Sequence, residues 1–176
     1  PATFHRLIAE YGDAAAALEA LPHMARAAGV RDYAACPASD AAAEMAAARA
    51  CGAQMVCYGA PQYPPDLVDL PDAPPVLWLL GDAALLGRPM IAIVGARNAS
   101  SLGLRMARRL AADLGQAGVV VVSGLARGID AAAHAEALAG GTVAVQAGGV
   151  DVIYPTENGA LAESIARTGA RISEQP

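Results

Sequence analysis

Hydrophobic positions in the first fifty residues recur at helical spacing, whereas beyond residue 90 they gather into short β-branched runs separated by helical stretches. Phe4, Leu7, Ile8 and Tyr11, then Leu18 and Leu21, keep a three-to-four-residue period, and Gly12, Pro22, Gly29 and Pro37 punctuate it. Ser39-Asp40 offers an N-cap for a run to Arg49 that stops at Gly52. Residues 1–52 therefore read as a small helical module. Gln54 to Tyr58 predicts a short strand, and the proline-rich passage from Pro61 to Pro75 is unsuited to regular helix. Val76 to Leu80 predicts a second strand, closed by Gly81, so residues 53–89 read as a strand and a proline-rich connection that begin a sheet domain.

Residues 90–176 carry the rest of that domain. Ile91 to Val94, Val119 to Val122, Thr142 to Val145 and Ala170 to Ile172 predict strands, with helices over Leu102 to Leu114, Ile129 to Ala139 and Asn158 to Thr168 between them. The run of four valines is what a strand buried on both faces requires. Strand and helix in this rhythm predict an α/β fold, a doubly wound, mostly parallel Rossmann-like sheet with helices on both faces.

Composition narrows the function classes. The 176 residues are 55% hydrophobic but only 4% aromatic, and the 12 basic residues are all arginine against 17 acids, a net charge of -5. Bulk positive charge is excluded as a means of holding nucleic acid. A local patch is not, because residues 88–127 hold Arg88, Arg97, Arg105, Arg108, Arg109 and Arg127 against Asp113 alone. The acids lie to either side. Arg105, Arg108 and Arg109 suit either a positive stripe or a solvated helix face. Ala-rich runs are broken by charge or glycine, so no membrane span is expected, and the first residues do not read as a signal peptide. Cys36, Cys51 and Cys57 lack metal spacing and predict buried or half-buried free thiols in a reducing cytoplasm, with no metal site.

The candidate chemistry sits just after the predicted strands, where open α/β sheets bind ligands. Gly95-Ala96-Arg97 follows the first, Ser123-Gly124-Leu125-Ala126-Arg127-Gly128 the second and Gly148-Gly149 the third. Each predicts backbone N–H groups at a helix N-terminus facing an anion, and Arg97 and Arg127 add charge there. The strict G-x-G-x-x-G pattern fails at Arg97 and Ser100, and a lysine-free chain has no phosphate-binding G-K-[ST] loop. No cofactor is implied. Asp130 and His134, four apart, predict a pair on one helical face, read as a helix-start residue and its interior partner rather than as a base and its orienter. G-x-S-x-G is not met around Ser123, and no catalytic set emerges.

These motifs together resemble one family. Tyr63-Pro64-Pro65-Asp66-Leu67, Pro74 to Gly81, VGAR at Val94 to Arg97, SGLARGID at Ser123 to Asp130 with His134, Gly148-Gly149-Val150-Asp151 to Tyr154-Pro155, Asn158 and Ile172-Ser173-Glu174 follow the order and spacing of DNA-processing protein A (DprA, also called Smf). The first fifty or so residues resemble that family's SAM-like helical module. The resemblance implies a cytoplasmic, non-enzymatic single-stranded DNA-binding protein of natural transformation, which protects incoming strands and loads a RecA-type recombinase. It implies Gly95, Ala96 and Arg97 as the phosphate-gripping loop, Ser123, Gly124, Ala126 and Gly128 as the adjacent wall, and Gly148 and Gly149 as points of close backbone approach. Arg127 joins them on charge alone. The family pattern continues beyond Pro176, so the chain is expected to be a fragment, and homodimerisation is left open. With few aromatics, binding is expected to lean on phosphates rather than on base stacking. A phosphoribohydrolase on a related fold is the competing reading, and Gly148-Gly149-Val150-Asp151 departs from its P-G-G-x-G-T pattern.

Overall fold

The computed structural model describes residues 2–175. Three helices, α1 (Ala2–Tyr11), α2 (Ala14–Ala27) and α3 (Ala38–Ala50), precede β1 (Gln54–Cys57). Gly12, at φ +87°, ends α1, and Asp13 caps α2 by accepting from the Ala16 amide at 2.9 Å. Pro22 does not break the chain as its ring suggests. It lies inside α2, where good helix formers on either side absorb the loss of one amide donor. Nor does Ser39-Asp40 cap α3. That helix starts at Ala38, and Ser39 donates to the Asp40 carboxylate instead.

The proline-rich passage contains one helical turn, α4 (Pro65–Val68), because Pro65 stands at its first turn, where the missing N–H costs nothing. The passage is pinned to both of its neighbours. The Tyr63 hydroxyl donates to the Pro74 carbonyl at 2.8 Å, and His5 Nε2 of α1 donates to the Ala73 carbonyl at 2.7 Å. His5, Tyr58 and Tyr63 continue as edge-to-face rings with centroids 4.7 and 5.4 Å apart.

Then follow β2 (Val76–Gly81), a 3₁₀ turn (Ala83–Gly87), β3 (Met90–Ala92), α5 (Ser101–Gln116), β4 (Val120–Ser123), α6 (Ile129–Ala137), β5 (Thr142–Gln146), a 3₁₀ turn (Thr156–Asn158), α7 (Gly159–Thr168) and β6 (Ala170–Ser173). The sheet order is β1-β2-β6-β5-β4-β3; β3 to β6 run parallel, and β2 and β1 add antiparallel strands at one edge. The α/β, mostly parallel architecture is the one that the sequence pattern predicts. The three connecting helices α5, α6 and α7, however, all lie on one face. Val121 packs with Ala111 of α5 and with Ala133 and Ala137 of α6, while Ala144 packs with Ala162 and Ile165 of α7, and strand register puts Val121 and Ala144 on the same side. The strands advance in one direction from β3 to β6, so right-handed crossovers place every connecting helix on that side. Leu85 and Leu86 of the 3₁₀ turn and Tyr63 of the proline-rich passage cover the opposite face, over Leu79, Val120, Val143 and Ile172.

Cys36, Cys51 and Cys57 are free but exposed, contrary to the buried placement expected, because none projects into the apolar clusters of the sheet. Among the described residues no helix is long and apolar enough to cross a membrane.

Candidate nucleic-acid interface

Three loops leave the carboxyl ends of β3, β4 and β5 side by side, and internal bonds fix how they meet. The Ile93 N–H donates to the Val122 carbonyl at 2.9 Å, and the buried Ser123 hydroxyl donates to the Ile93 carbonyl at 2.6 Å. Ser123 was expected to face a ligand. Its hydroxyl turns inward instead, because the Ile93 carbonyl at the parting of β3 and β4 needs a donor. Asp130, only 6% exposed at the start of α6, accepts from two loops at once: from the Gly95 N–H on Oδ1 at 3.3 Å and from the Gly124 N–H on Oδ2 at 3.1 Å.

Backbone contact completes the junction. The Ile129 N–H donates to the Ala96 carbonyl at 3.3 Å. Gly128 has φ +79°, and a Cβ there would lie 2.2 Å from the Ala96 oxygen and 2.7 Å from the Arg97 oxygen. Leu125 takes a left-handed conformation at φ 58°, and the Asn158 side-chain amide holds it by donating to the Leu125 and Ala126 carbonyls at 2.9 and 3.3 Å. The amides of Gly95, Gly124 and Ile129, expected to face an anion, are therefore spent inside the protein. The charge for an anion has to come from side chains.

Those side chains converge on a cleft of about 240 Å³. Arg97, Gly124, Ala126 and Arg127 from the first two loops line it together with Gly148, Val152, Tyr154 and Pro155 from the third. Arg97 is exposed, and Arg127 Nε lies 3.8 Å from Glu157 Oε1 with both side chains more than half exposed. Gly148 has no protein atom within 4 Å of where a Cβ would stand, so the backbone is open to a ligand there, whereas Gly149 is buried behind it. Gly95, Ala96, Ser123 and Gly128 support the cleft without lining it. On α5, Arg105, Arg108 and Arg109 are exposed, and Arg109 is paired with Asp113 at 2.8 Å.

A larger groove of about 640 Å³ lies on the opposite face of the sheet, between apolar side chains and the carboxylates of Asp66, Asp72 and Glu174. Its charge repels phosphate, so the smaller arginine-bearing cleft is the better candidate for an anion. Among the described residues no cluster of His, Cys, Asp and Glu has the make-up of a metal site.

His134 and Arg171 stabilise the site from below. His134 is fully buried, and its Nδ1 lies 2.7 Å from the Thr142 hydroxyl, which itself donates to the Val121 carbonyl at 2.7 Å. The hydroxyl must then accept from Nδ1–H, which sets the neutral tautomer and leaves Nε2 without a partner. Burial pushes the imidazole down from 6.5 to about 4, against smaller upward pulls from Asp130 and the Ser123 backbone. Since the folded state resists protonation, this contribution is complete above pH 6.5 and is lost as pH falls toward 4, in total about 3 kcal/mol. Urea unfolding midpoints should show that acid-side decline, and His134→Gln should flatten it. Arg171, buried in β6, donates to the Val150 carbonyl and so anchors the third loop; burial lowers its pKa, with Asp151 opposing. Sequence reading missed this role, although a charge within an otherwise apolar strand was its signal.

Comparison with known proteins decides the family. Residues 54–176 match the family model described as DNA recombination-mediator protein A, and residues 1–47 match a DprA-like N-terminal HHH domain. The chain belongs to the DprA/Smf family. It is 39% identical over 135 residues to the DNA processing protein DprA of Bacillus subtilis, covering 75% of this chain and 46% of that one. It is 43% identical over 122 residues to Protein Smf of a Synechocystis strain, covering 66% and 31%. The chain thus spans less than half the length of these DprA/Smf relatives. The crystal structure of Streptococcus pneumoniae DprA superposes with a TM-score of 0.65 at 37% identity, over 70% of this chain and 44% of that one. A Helicobacter pylori DprA structure, which describes a single-stranded DNA binding mode of that protein, gives 0.64 at 32% identity, over 70% and 55%.

Proposed function

We propose that this chain binds single-stranded DNA without turnover, as the strand-holding part of a cytoplasmic recombination mediator that protects incoming DNA in natural transformation and passes it to a RecA-type recombinase. The observation that carries this reading is the cleft at the strand ends, which Arg97 and Arg127 from two separate loops line together with the exposed Gly148 of a third. Two guanidinium groups suit successive phosphate oxygens, and arginine holds them in pairs. Gly95, Ala96, Ser123 and Gly128 shape the arginine-bearing loops, Gly124 and Ala126 line the cleft, and Gly148 lets the strand approach the backbone, with Gly149 buried behind it.

Oligonucleotide binding measured across a salt series tests this. Single strands should bind with a strongly salt-dependent affinity, and Arg97→Ala should weaken binding about tenfold at every sequence while lowering the salt slope by about one. Unchanged affinity in that variant would remove Arg97 from the site. Release of free base from nucleoside monophosphates would overturn the non-enzymatic reading.

A further inference from the structure

We propose that Tyr154 is a base-stacking platform, so that the cleft takes one nucleotide with its two flanking phosphates on Arg97 and Arg127 and its base on the tyrosine ring. The inference rests on the single-strand reading above and gives it a subsite for the base.

Tyr154 is 71% exposed, whereas the other exposed tyrosines, Tyr33 and Tyr58, are 40% and 37% exposed. Tyr58 packs edge-to-face with His5 and Tyr63; among the described residues the Tyr154 ring has no aromatic neighbour and its hydroxyl no hydrogen-bond partner. Interior packing therefore does not account for this ring. Val152, 57% exposed, and Pro155 line the cleft beside it, giving an apolar shelf in the same cleft as the arginines. A nucleotide has that same division, with charge on one side and an apolar ring face on the other.

The shelf is also held in place before anything binds. Gln146 Nε2 donates to the Val152 carbonyl at 2.8 Å, the Val152 N–H donates to the Gly149 carbonyl at 3.0 Å, and the Asn158 N–H donates to the Pro155 carbonyl at 3.0 Å. Through its side chain, Asn158 also grips the Leu125 carbonyl in the loop that carries Arg127. The two loops therefore keep their spacing without cost at binding. The volume of about 240 Å³ lies below the range of drug-sized pockets, which suits a single nucleotide rather than a duplex. In a duplex both faces of a base are already stacked, so the ring would contribute to single strands only.

Stacking on an aromatic side chain is sequence-tolerant and is lost on truncation to alanine. The test compares a thymidine oligonucleotide with a strand of the same length made of abasic sites, across a salt series, for the unmodified chain, Tyr154→Ala, Tyr154→Phe and Arg97→Ala. Tyr154→Ala should weaken thymidine-strand binding about tenfold or more, leave abasic-strand binding and the salt slope unchanged, and be restored by Tyr154→Phe. Equal losses on both strands, or no loss on either, would overturn the stacking role. Because Arg97→Ala is read by salt slope and Tyr154→Ala by the need for a base, loss of the Arg97 effect sinks the phosphate site and loss of the Tyr154 effect sinks the platform.

Discussion

Gly128→Ala should lower the melting temperature by about 10 °C and reduce single-strand affinity by more than tenfold. The residue has φ +79°, so any side chain carries backbone strain of about 1–3 kcal/mol. The added Cβ would also stand 2.2 Å from the Ala96 carbonyl and 2.7 Å from the Arg97 carbonyl, both backbone atoms with no rotamer to change. Only a separation of the two loops relieves that clash. A total of about 3 kcal/mol is then reasonable, and in a chain of this size each kcal/mol shifts the melting point by roughly 2–4 °C. Separating the loops also moves Arg97 away from Arg127, so affinity should fall even below the melting transition. Differential scanning calorimetry and fluorescence anisotropy on one preparation check both halves. A melting point within 2 °C of the parent would show that the junction yields at little cost.

Asp130→Ala is expected to destabilise by about 2–3 kcal/mol, because the Gly95 and Gly124 amides each lose a charge-assisted acceptor. Its effect on DNA binding sets two forces against each other. Removing a carboxylate beside the proposed anion site favours the anion electrostatically, while releasing two loops costs the geometry that aims Arg97. Exposed phosphates feel the charge through solvent and salt, whereas the loop positions act directly, so positioning should win and affinity should fall about tenfold. Asp130→Asn should lie between, since a carboxamide has one oxygen and can satisfy only one of the two amides. Tighter binding by Asp130→Ala at low salt would reverse this conclusion. Urea denaturation and anisotropy at two salt concentrations separate the terms.

The sheet was legible in the sequence because Val119 to Val122 and Thr142 to Val145 leave little choice but buried strand, and glycines mark the turns that follow them. Which face each helix takes was not legible from the strand-helix rhythm. It depends on strand order, a long-range property that reads the same locally whether the sheet winds one way or both. Pro22 misled because a local steric rule competes with the strong helix propensity around it. At the cleft, Arg97 and Arg127 could be found from charge and position. The direction of the Ser123 hydroxyl and the double duty of Asp130 could not, since both depend on which partner stands a strand away. Tyr154 was visible as part of a motif, but its exposure became informative only once it lined the same cleft as Arg97 and Arg127.

The contact between Arg127 and Glu157 has a consequence for ligand choice. At 3.8 Å and open to solvent, the glutamate is a resident counter-ion that a phosphate bound as proposed at Arg127 would have to displace. Such an exposed pair is worth roughly 0–1 kcal/mol, so trading one carboxylate for one phosphate changes the energy little. On that reading a lone phosphate would gain almost nothing at Arg127, while a strand already held at Arg97 would make the exchange at high effective concentration. Glu157 would thereby act as a valency filter, rejecting the abundant small anions of the cell and yielding to a chain.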